Sequence, residues 1–362
     1  MVLLGSTGSI GVNALIVAKK FGIDVEVLVA GSNIALLNKQ ILEHTPKVVV
    51  IANAEDCAKV NHPRVYSGAE AIESAIKEAS SSLVVNALVG FLGLRPTLTA
   101  IACGKRVALA NKESLVAAGA FIESEKIIPI DSEHFGLWYL LGDRTVSSMT
   151  ITASGGALRD LDPKAIEQAT LSQVLNHPNW SMGQKITIDS ATMANKLFEV
   201  LEAYWLFRDR FQTKVQIEGV IERSSIIHAL IGFCDGSTTA QIAQADMRLP
   251  IAYALLDRIE EPIVPPCDLT TLSPLNFEKI DTARYPLWSL KASLVDNAAL
   301  GVVVNAANEA AIARFCAQEI AFGGIARTVL AAYEHFQQAP RTLEAVFECD
   351  REVRQWCQKL KV

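Results

Sequence analysis

The chain has 362 residues, of which 50% are hydrophobic and 20% charged, with a formal net charge of -6. That length exceeds one ordinary core, so two or three domains are expected, and the apolar content excludes a disordered chain. The acidic balance argues against an extended nucleic-acid groove but leaves room for a small anionic substrate, met by a few lysines or a helix start.

The first part of the chain alternates short aliphatic runs with amphipathic stretches. Residues 2–4, 25–30, 48–51, 83–88, 107–110 and 127–130 read as strands. Repeated βα units predict a parallel sheet covered on both faces, over residues 1–131. The first strand runs into Gly5-Ser-Thr-Gly8-Ser-Ile-Gly11, and a helix pattern follows. Glycines at that spacing, at a first βα turn, suit a tight turn whose backbone approaches a pyrophosphate. The competing reading is a plain tight turn. After the second strand comes Ala30-Gly31-Ser32-Asn33, without the acid that would favour NAD, which tilts the choice towards NADP.

Asp131-Ser132-Glu133 follows the sixth strand, at the end where open α/β sheets bind ligands. If the strand continued, the two carboxylates would share a face and suit Mg²⁺ or Mn²⁺ better than zinc. A solvated acidic turn is the bland alternative. Lys112 follows an aliphatic strand and is placed to polarise a carbonyl or hold a hydroxyl; otherwise it is an exposed lysine at a helix start.

Beyond residue 131 the pattern changes. Residues 148–153, 185–189, 214–221 and 238–243 read as strands of a second sheet. Residues 155–183, with paired glycines and no long period, read as a mobile loop, whose Trp180 and Met182 would cover something apolar. Residues 191–207 read as one helix with Ser190 as N-cap, on which Asn195 and Glu199 share a face beside Lys196. The bland reading is a surface Lys196–Glu199 pair. Residues 257–280 read as a linker and 281–362 as a helical domain. The seven cysteines include no CxxC pair and read as reduced thiols of a cytoplasmic protein. No signal peptide and no uninterrupted apolar run of about 18 residues is found, so no membrane partner is expected.

The strings GSTGSIG, ANKESLVAAG, IDSEH, ASGGALRD, HPNWSMG, IDSATMANKLFEVLEAYWLF, DMRLPI and NAANEAAIARF occur in order over nearly the whole chain. In these the sequence resembles the 1-deoxy-D-xylulose 5-phosphate reductoisomerase family. The resemblance implies a Rossmann-like N-terminal domain (1–131), an α+β catalytic domain (132–256) with a mobile flap at about 154–184, and the C-terminal helical domain. It implies NADPH and Mg²⁺ or Mn²⁺, with Co²⁺ as an alternative metal, and a phosphorylated ketose substrate. It implies a homodimer as well.

By the same resemblance Asp131, Glu133 and Glu199 are metal carboxylates, and Lys112 bridges substrate and cofactor. Ser132, Ser154, Ser190, Asn195 and Lys196 contact substrate. His177, Trp180 and Met182 close over it. Thr7, Gly8, Ser9, Ile10, Gly31, Asn33, Asn111, Lys112, Glu113, Gly183 and Met247 fall at the cofactor. The Ser190 helix start and Lys196 would meet the substrate's phosphate.

The chain departs from the family pattern in places. Ser32 stands where a basic residue is usual, Glu222-Arg-Ser-Ser225 replaces a common His-Pro-Gln-Ser, Gln244-Ala245 precedes Asp246-Met-Arg248, and Gln184 follows Gly183. Two other classes compete: an NADP-linked semialdehyde dehydrogenase, for which Cys103 beside Gly104 is a poor nucleophile, and a non-catalytic NADP-binding sensor.

Overall fold

A computed structural model describes residues 1–180, 182–211, 215–256, 258–272 and 274–362. The chain folds as two compact units. Unit 1 holds residues 1–114, 122–132 and 246–265, and unit 2 holds 115–121, 133–245 and 266–362.

Unit 1 is built on a seven-stranded parallel sheet in the order β4-β3-β2-β1-β5-β6-β7. In chain order its elements are β1 (Val2–Leu4), α1 (Ser9–Lys20), β2 (Val27–Ala30), α2 (Ile34–His44), β3 (Val48–Ile51), β4 (Val65–Ser67) and α3 (Ala69–Glu78). They continue with β5 (Leu83–Asn86), α4 (Leu94–Ala102), β6 (Arg106–Leu109) and β7 (Ile127–Pro129), while α5 (Lys112–Ala118) starts in unit 1 and ends in unit 2. The strands are near-continuous Val, Ile and Leu because helices cover both faces. The chain moves outward from β1 to β4, then returns to β5 on the other side of β1. The switch point, where such sheets bind ligands, therefore lies at the carboxyl ends of β1 and β5. The sequence reading missed β4: it has three residues, and its Tyr66 is exposed at the sheet edge.

Unit 2 contains a five-stranded sheet, β11-β10-β8-β9-β12, in which only the β8–β9 pair is parallel. The chain enters through α6 (Ser132–Leu140) and β8 (Val146–Ala153). Two short helices follow, α7 (Pro163–Ile166) and α8 (Leu171–Val174), then α9 (Gln184–Thr192) and α10 (Ala194–Phe207). Strands β9 (Gln216–Glu222), β10 (Ile227–Phe233) and β11 (Thr238–Ile242) complete most of the sheet. The core between α10 and the sheet is apolar: Val200, Ala203 and Phe207 meet Met149, Ile151 and Ile231.

The chain then rejoins unit 1 with α11 (Arg248–Leu255), which packs on α1. Unit 2 resumes with the edge strand β12 (Phe277–Lys279), α12 (Lys291–Asp296), α13 (Gly301–Cys316), α14 (Phe322–His335) and α15 (Leu343–Lys359). The stretch Ala298–Cys316 is long and apolar enough to cross a membrane by composition, yet 67% of its window is buried within the protein. Helices α14 and α15 pack against it, so it reads as a core helix.

Several expectations change. Residues 185–189 are not a strand but part of α9: Lys185 reaches Asp189 one turn on at 2.8 Å, and Asn308 of α13 donates to Asp189 at 2.7 Å. That tertiary pairing outweighs the alternation of Lys-Ile-Thr-Ile-Asp. Residues 191–207 are not one helix, because Met193 takes a left-handed conformation, φ 66°, that separates α9 from α10. Strand β10 was missed because its buried apolar run has no period. Strand β12 was missed because all three of its residues are exposed. Lys214, the expected start of β9, Ser181 in the flap, and Asp257 and Ser273 in the expected linker lie outside the described residues.

The flap is also shorter than expected. Leu158, Ala169 and Val174 are buried against Ala311, Phe315 and Ile325 of the helical region. Thr170 and Gln173 form a reciprocal capping box at α8. A loop mobile from residue 154 onward would uncover that core.

Candidate active site

The glycine loop is a backbone device. Gly5 has φ +85°, and a Cβ on it would lie 2.5 Å from the Ala87 carbonyl, just beyond β5. A Cβ on Gly11 would lie 2.2 Å from the Gly5 oxygen, so α1 can approach the loop only as glycine. Gly8 is different: it is exposed, its φ is -78°, and its nearest neighbour to a Cβ is 3.4 Å away. Packing does not demand glycine at Gly8; close approach of a ligand would. Gly8 is the N-cap of α1 and no side chain closes that helix start, so the first-turn amides suit an anion.

Around the loop, Ser9 is exposed, while Thr7 and Ile10 are half-buried. Gly31 is exposed, and Asn33 caps α2 by accepting from Leu36 N at 3.2 Å. Met247 packs partly buried against the core of unit 1, so it lies in the same unit as the loop although far away in sequence.

At the end of β6, Asn111 is an internal brace. Its amide donates to the carbonyls of Leu88 and Gly90 at 2.8 Å and to Glu113 at 3.0 Å, and its oxygen accepts from Ser114. Lys112 is 5% exposed, and its ammonium lies 2.6 Å from Asp131. The bland reading of an exposed lysine fails. The expected extended alignment of Asp131 and Glu133 fails too: β7 ends at Pro129 and Ser132, half-buried, already opens α6.

In unit 2, Glu133 and Glu199 carry carboxylate oxygens within 4.8 Å of each other. Lys196 bonds to Glu199 and lies 3.3 Å from Glu133. Asn195 donates to the other Glu199 oxygen at 2.5 Å. Lys196 is 4% and Glu199 1% exposed, so this is no surface pair. Beneath it, the fully buried His134 bonds the Glu199 carbonyl at 2.8 Å, with Glu202 3.4 Å from its other nitrogen. The sequence reading passed over His134 and Glu202. Their only signal is their place three residues after Asp131 and Glu199, on helix faces not then known to meet.

Ser190 does not start a helix. It lies in the last turn of α9, whose N-cap is Gly183, exposed. The helix start nearest Asn195 and Lys196 is that of α10, where Thr192 Oγ1 accepts from Ala194 N at 3.3 Å.

His177 is fixed on both sides. Its Nδ1 accepts from the backbone N–H groups of Asn179 and Trp180 at 3.2 and 3.0 Å. The ring proton is thereby placed on Nε2, which donates to Ser154 Oγ at 3.0 Å. Burial, with the nearby Arg159, pushes the His177 pKa down to about 4. Trp180 and Met182 are half-buried, and Trp180 meets His228 edge-on at 6.2 Å. Arg159, which the sequence reading did not single out, donates to the Ser154 carbonyl at 2.8 Å.

The donor sets suit the groups expected from the sequence. The carboxylate oxygens of Glu133 and Glu199 converge within 4.8 Å, the hard donors a Mg²⁺ site uses. The Gly8 approach and the uncapped α1 start suit a dinucleotide pyrophosphate.

Comparisons agree. Family models described as 1-deoxy-D-xylulose 5-phosphate reductoisomerase match residues 1–119, and those of its C-terminal domains match 127–207 and 242–356. A relative of that description from Wolinella succinogenes is 52% identical over 363 residues, covering 99% of this chain and 100% of its own length. One from Helicobacter pylori is 49% identical, covering 98% of each. Among solved structures, a reductoisomerase in complex with NADPH, fosmidomycin and magnesium has a TM-score of 0.90 at 32% identity, covering 99% of this chain and 97% of its own. The Zymomonas mobilis enzyme in complex with NADPH has a TM-score of 0.86 at 33% identity, covering 99% of each.

Proposed function

This chain belongs to the 1-deoxy-D-xylulose 5-phosphate reductoisomerase family, and from that premise we propose how its residues divide the reaction. It is an NADPH-dependent enzyme that converts 1-deoxy-D-xylulose 5-phosphate to 2-C-methyl-D-erythritol 4-phosphate. A linear ketose becomes a branched polyol, so one C–C bond must migrate and one carbonyl must be reduced. NADPH supplies the hydride, and a divalent metal, Mg²⁺ or Mn²⁺, supplies Lewis acidity at the ketone–hydroxyl pair.

Asp131, Glu133 and Glu199 would hold the metal. The observation that carries this reading is the convergence of Glu133 and Glu199 on a buried ammonium. Asp131 is two residues upstream of Glu133 and is neutralised by Lys112. Lys112 holds or moves the proton of a substrate hydroxyl, which its short bond to Asp131 orients. Ser132, Ser154, His177, Ser190, Asn195 and Lys196 bind the substrate's hydroxyls and phosphate. The start of α10, beside Asn195 and Lys196, takes the phosphate role that the sequence reading gave to Ser190. His177 acts as an Nε2–H donor, since its Nδ1 is occupied. Trp180 and Met182 exclude water.

In the cofactor region (1–131), Thr7, Gly8, Ser9 and Ile10 receive the pyrophosphate. Gly31, Asn33, Lys112, Glu113 and Met247 of unit 1 would contribute to holding the cofactor, as would Gly183, and Asn111 braces the end of β6. Residues 132–256 supply the catalytic region and 281–362 the helical one, joined by 257–280.

The enzyme works as a cytoplasmic homodimer. Free cysteines support the compartment, and burial pushes the Cys357 thiol up to about 11. Trp138 and Tyr139, exposed on α6, support the dimer.

An NADPH-oxidation assay with 1-deoxyxylulose 5-phosphate and Mg²⁺ or Mn²⁺ tests the reading, and turnover should vanish with chelator. No turnover while substrate and NADPH both bind would overturn it. Running NADH alongside measures what Ser32 does to cofactor choice.

A further inference from the structure

We infer that Asn179 is a positioning residue for this reaction: it ties the turn at 177–180 to the loop after β9, and so sets the His177 ring. The inference rests on the role proposed above for His177.

The loop after β9 is a rigid post. Glu222 is buried, and its carboxylate accepts from Ser224 N and Oγ at 2.8 and 2.6 Å and from Ile226 N and Ile227 N at 3.1 and 3.3 Å. Ser225 is held at φ 58°. The Arg223 side chain is clamped by Asp160 at 2.7 Å and Glu278 at 2.9 Å. This is the stretch where the chain carries Glu-Arg-Ser-Ser in place of the commoner His-Pro-Gln-Ser.

Two donors from the flap segment reach the post. Arg159 donates to the Arg223 carbonyl at 3.0 Å, near the start of the segment. Asn179 donates to the same carbonyl and to Ser225 Oγ, both at 2.7 Å, near its tip. Asn179 thus spends its amide hydrogens on the post, while its backbone N–H and that of Trp180 hold His177 Nδ1. One residue therefore joins a fixed loop to the ring that donates to Ser154. The buried contacts of Leu158, Ala169 and Val174 anchor the rest of the segment independently. Loss of the tie should loosen the tip without unfolding the unit.

The test uses Asn179→Asp, which keeps the shape and removes both donors, together with Asn179→Ala, Ser225→Gly and the double variant Asn179→Ala/Ser225→Gly. Glycine at 225 suits the positive φ while deleting the hydroxyl. With one charge-neutral tie lost, KM for 1-deoxyxylulose 5-phosphate should rise about tenfold, with kcat and the KM for NADPH within about twofold. Hydrogen exchange of the peptide spanning 175–183 in the free full-length protein should quicken about tenfold, while α13 keeps its protection. The double variant should be no worse than Asn179→Ala alone. Unchanged exchange at 175–183 in Asn179→Ala, or a double variant whose effects add, would overturn the tie. A tip that loosens while KM stays unchanged would overturn the positioning role. Absence of turnover in the wild type would instead strike the proposed reaction, and the exchange data would still decide the tie.

Discussion

The glycine loop of unit 1 and the carboxylate cluster of unit 2 do opposite things with the same chain. At the loop, the geometry comes from side chains that are missing: Gly5 and Gly11 let backbone meet backbone, and Gly8 stands exposed with no close neighbour. At the cluster, the geometry comes from side chains that are present and charged where charge is costly: Lys196 between Glu133 and Glu199, over the buried His134–Glu202 pair. The first kind of site breaks when an atom is added. The second breaks when a charge is changed at constant shape.

The largest test of that contrast is Glu199→Gln, which keeps volume and removes charge. Turnover should fall roughly a thousandfold, on the scale of losing one preorganised electrostatic group, and metal affinity should fall with it. Metal titration by calorimetry measures the second part, and an affinity equal to wild type would remove Glu199 from the metal set. Next comes Gly11→Ala, where one added carbon meets backbone at 2.2 Å. We expect a loss of about 3 kcal/mol in denaturant unfolding, since the backbone must shift. If stability hardly changes, the loop is looser than its geometry says. Gly8→Ala is the control for the same loop, with a cost under about 1 kcal/mol in stability but a clear loss of NADPH affinity. Equal NADPH binding by this variant would mean that no ligand approaches Gly8.

The smallest effect is a pH dependence. His177 has its folded pKa lowered to about 4 by burial and Arg159, below the ordinary histidine value of 6.5. As pH falls from that ordinary value towards 4, the unfolded chain takes up a proton that the folded one refuses. Stability is therefore lost over this window, and kept above it. Comparing thermal unfolding of wild type and His177→Gln across the window should show a shallower slope in the variant. NMR titration should find His177 neutral at pH 6, and a charged ring there would contradict the assigned Nε2–H tautomer.

Much of unit 1 was legible in sequence because its logic is local. Six of its aliphatic runs and the glycine loop declare themselves within short windows, and parallel strands covered on both faces need no partner information to be recognised. The edge strand β4, with exposed Tyr66, carries no such pattern. In unit 2, the identities of Asn195, Lys196 and Glu199 could be read, but not their burial. A Lys–Glu pair three residues apart looks the same on a surface as in a core. The strand reading of 185–189 failed because Asn308, far along the chain, pairs with Asp189 and stabilises a helix there.

The sequence by itself determined the class of fold, the glycine loop at the first βα turn and the residue types of the carboxylate cluster. Those follow from composition, period and spacing, which act over a few residues. Only the tertiary structure decided that Lys112 is paired with Asp131, that Ser190 ends a helix instead of starting one, and that the flap is pinned up to Val174. Each of these depends on what a distant segment brings alongside, and burial and pairing between distant segments are properties no single window of sequence contains.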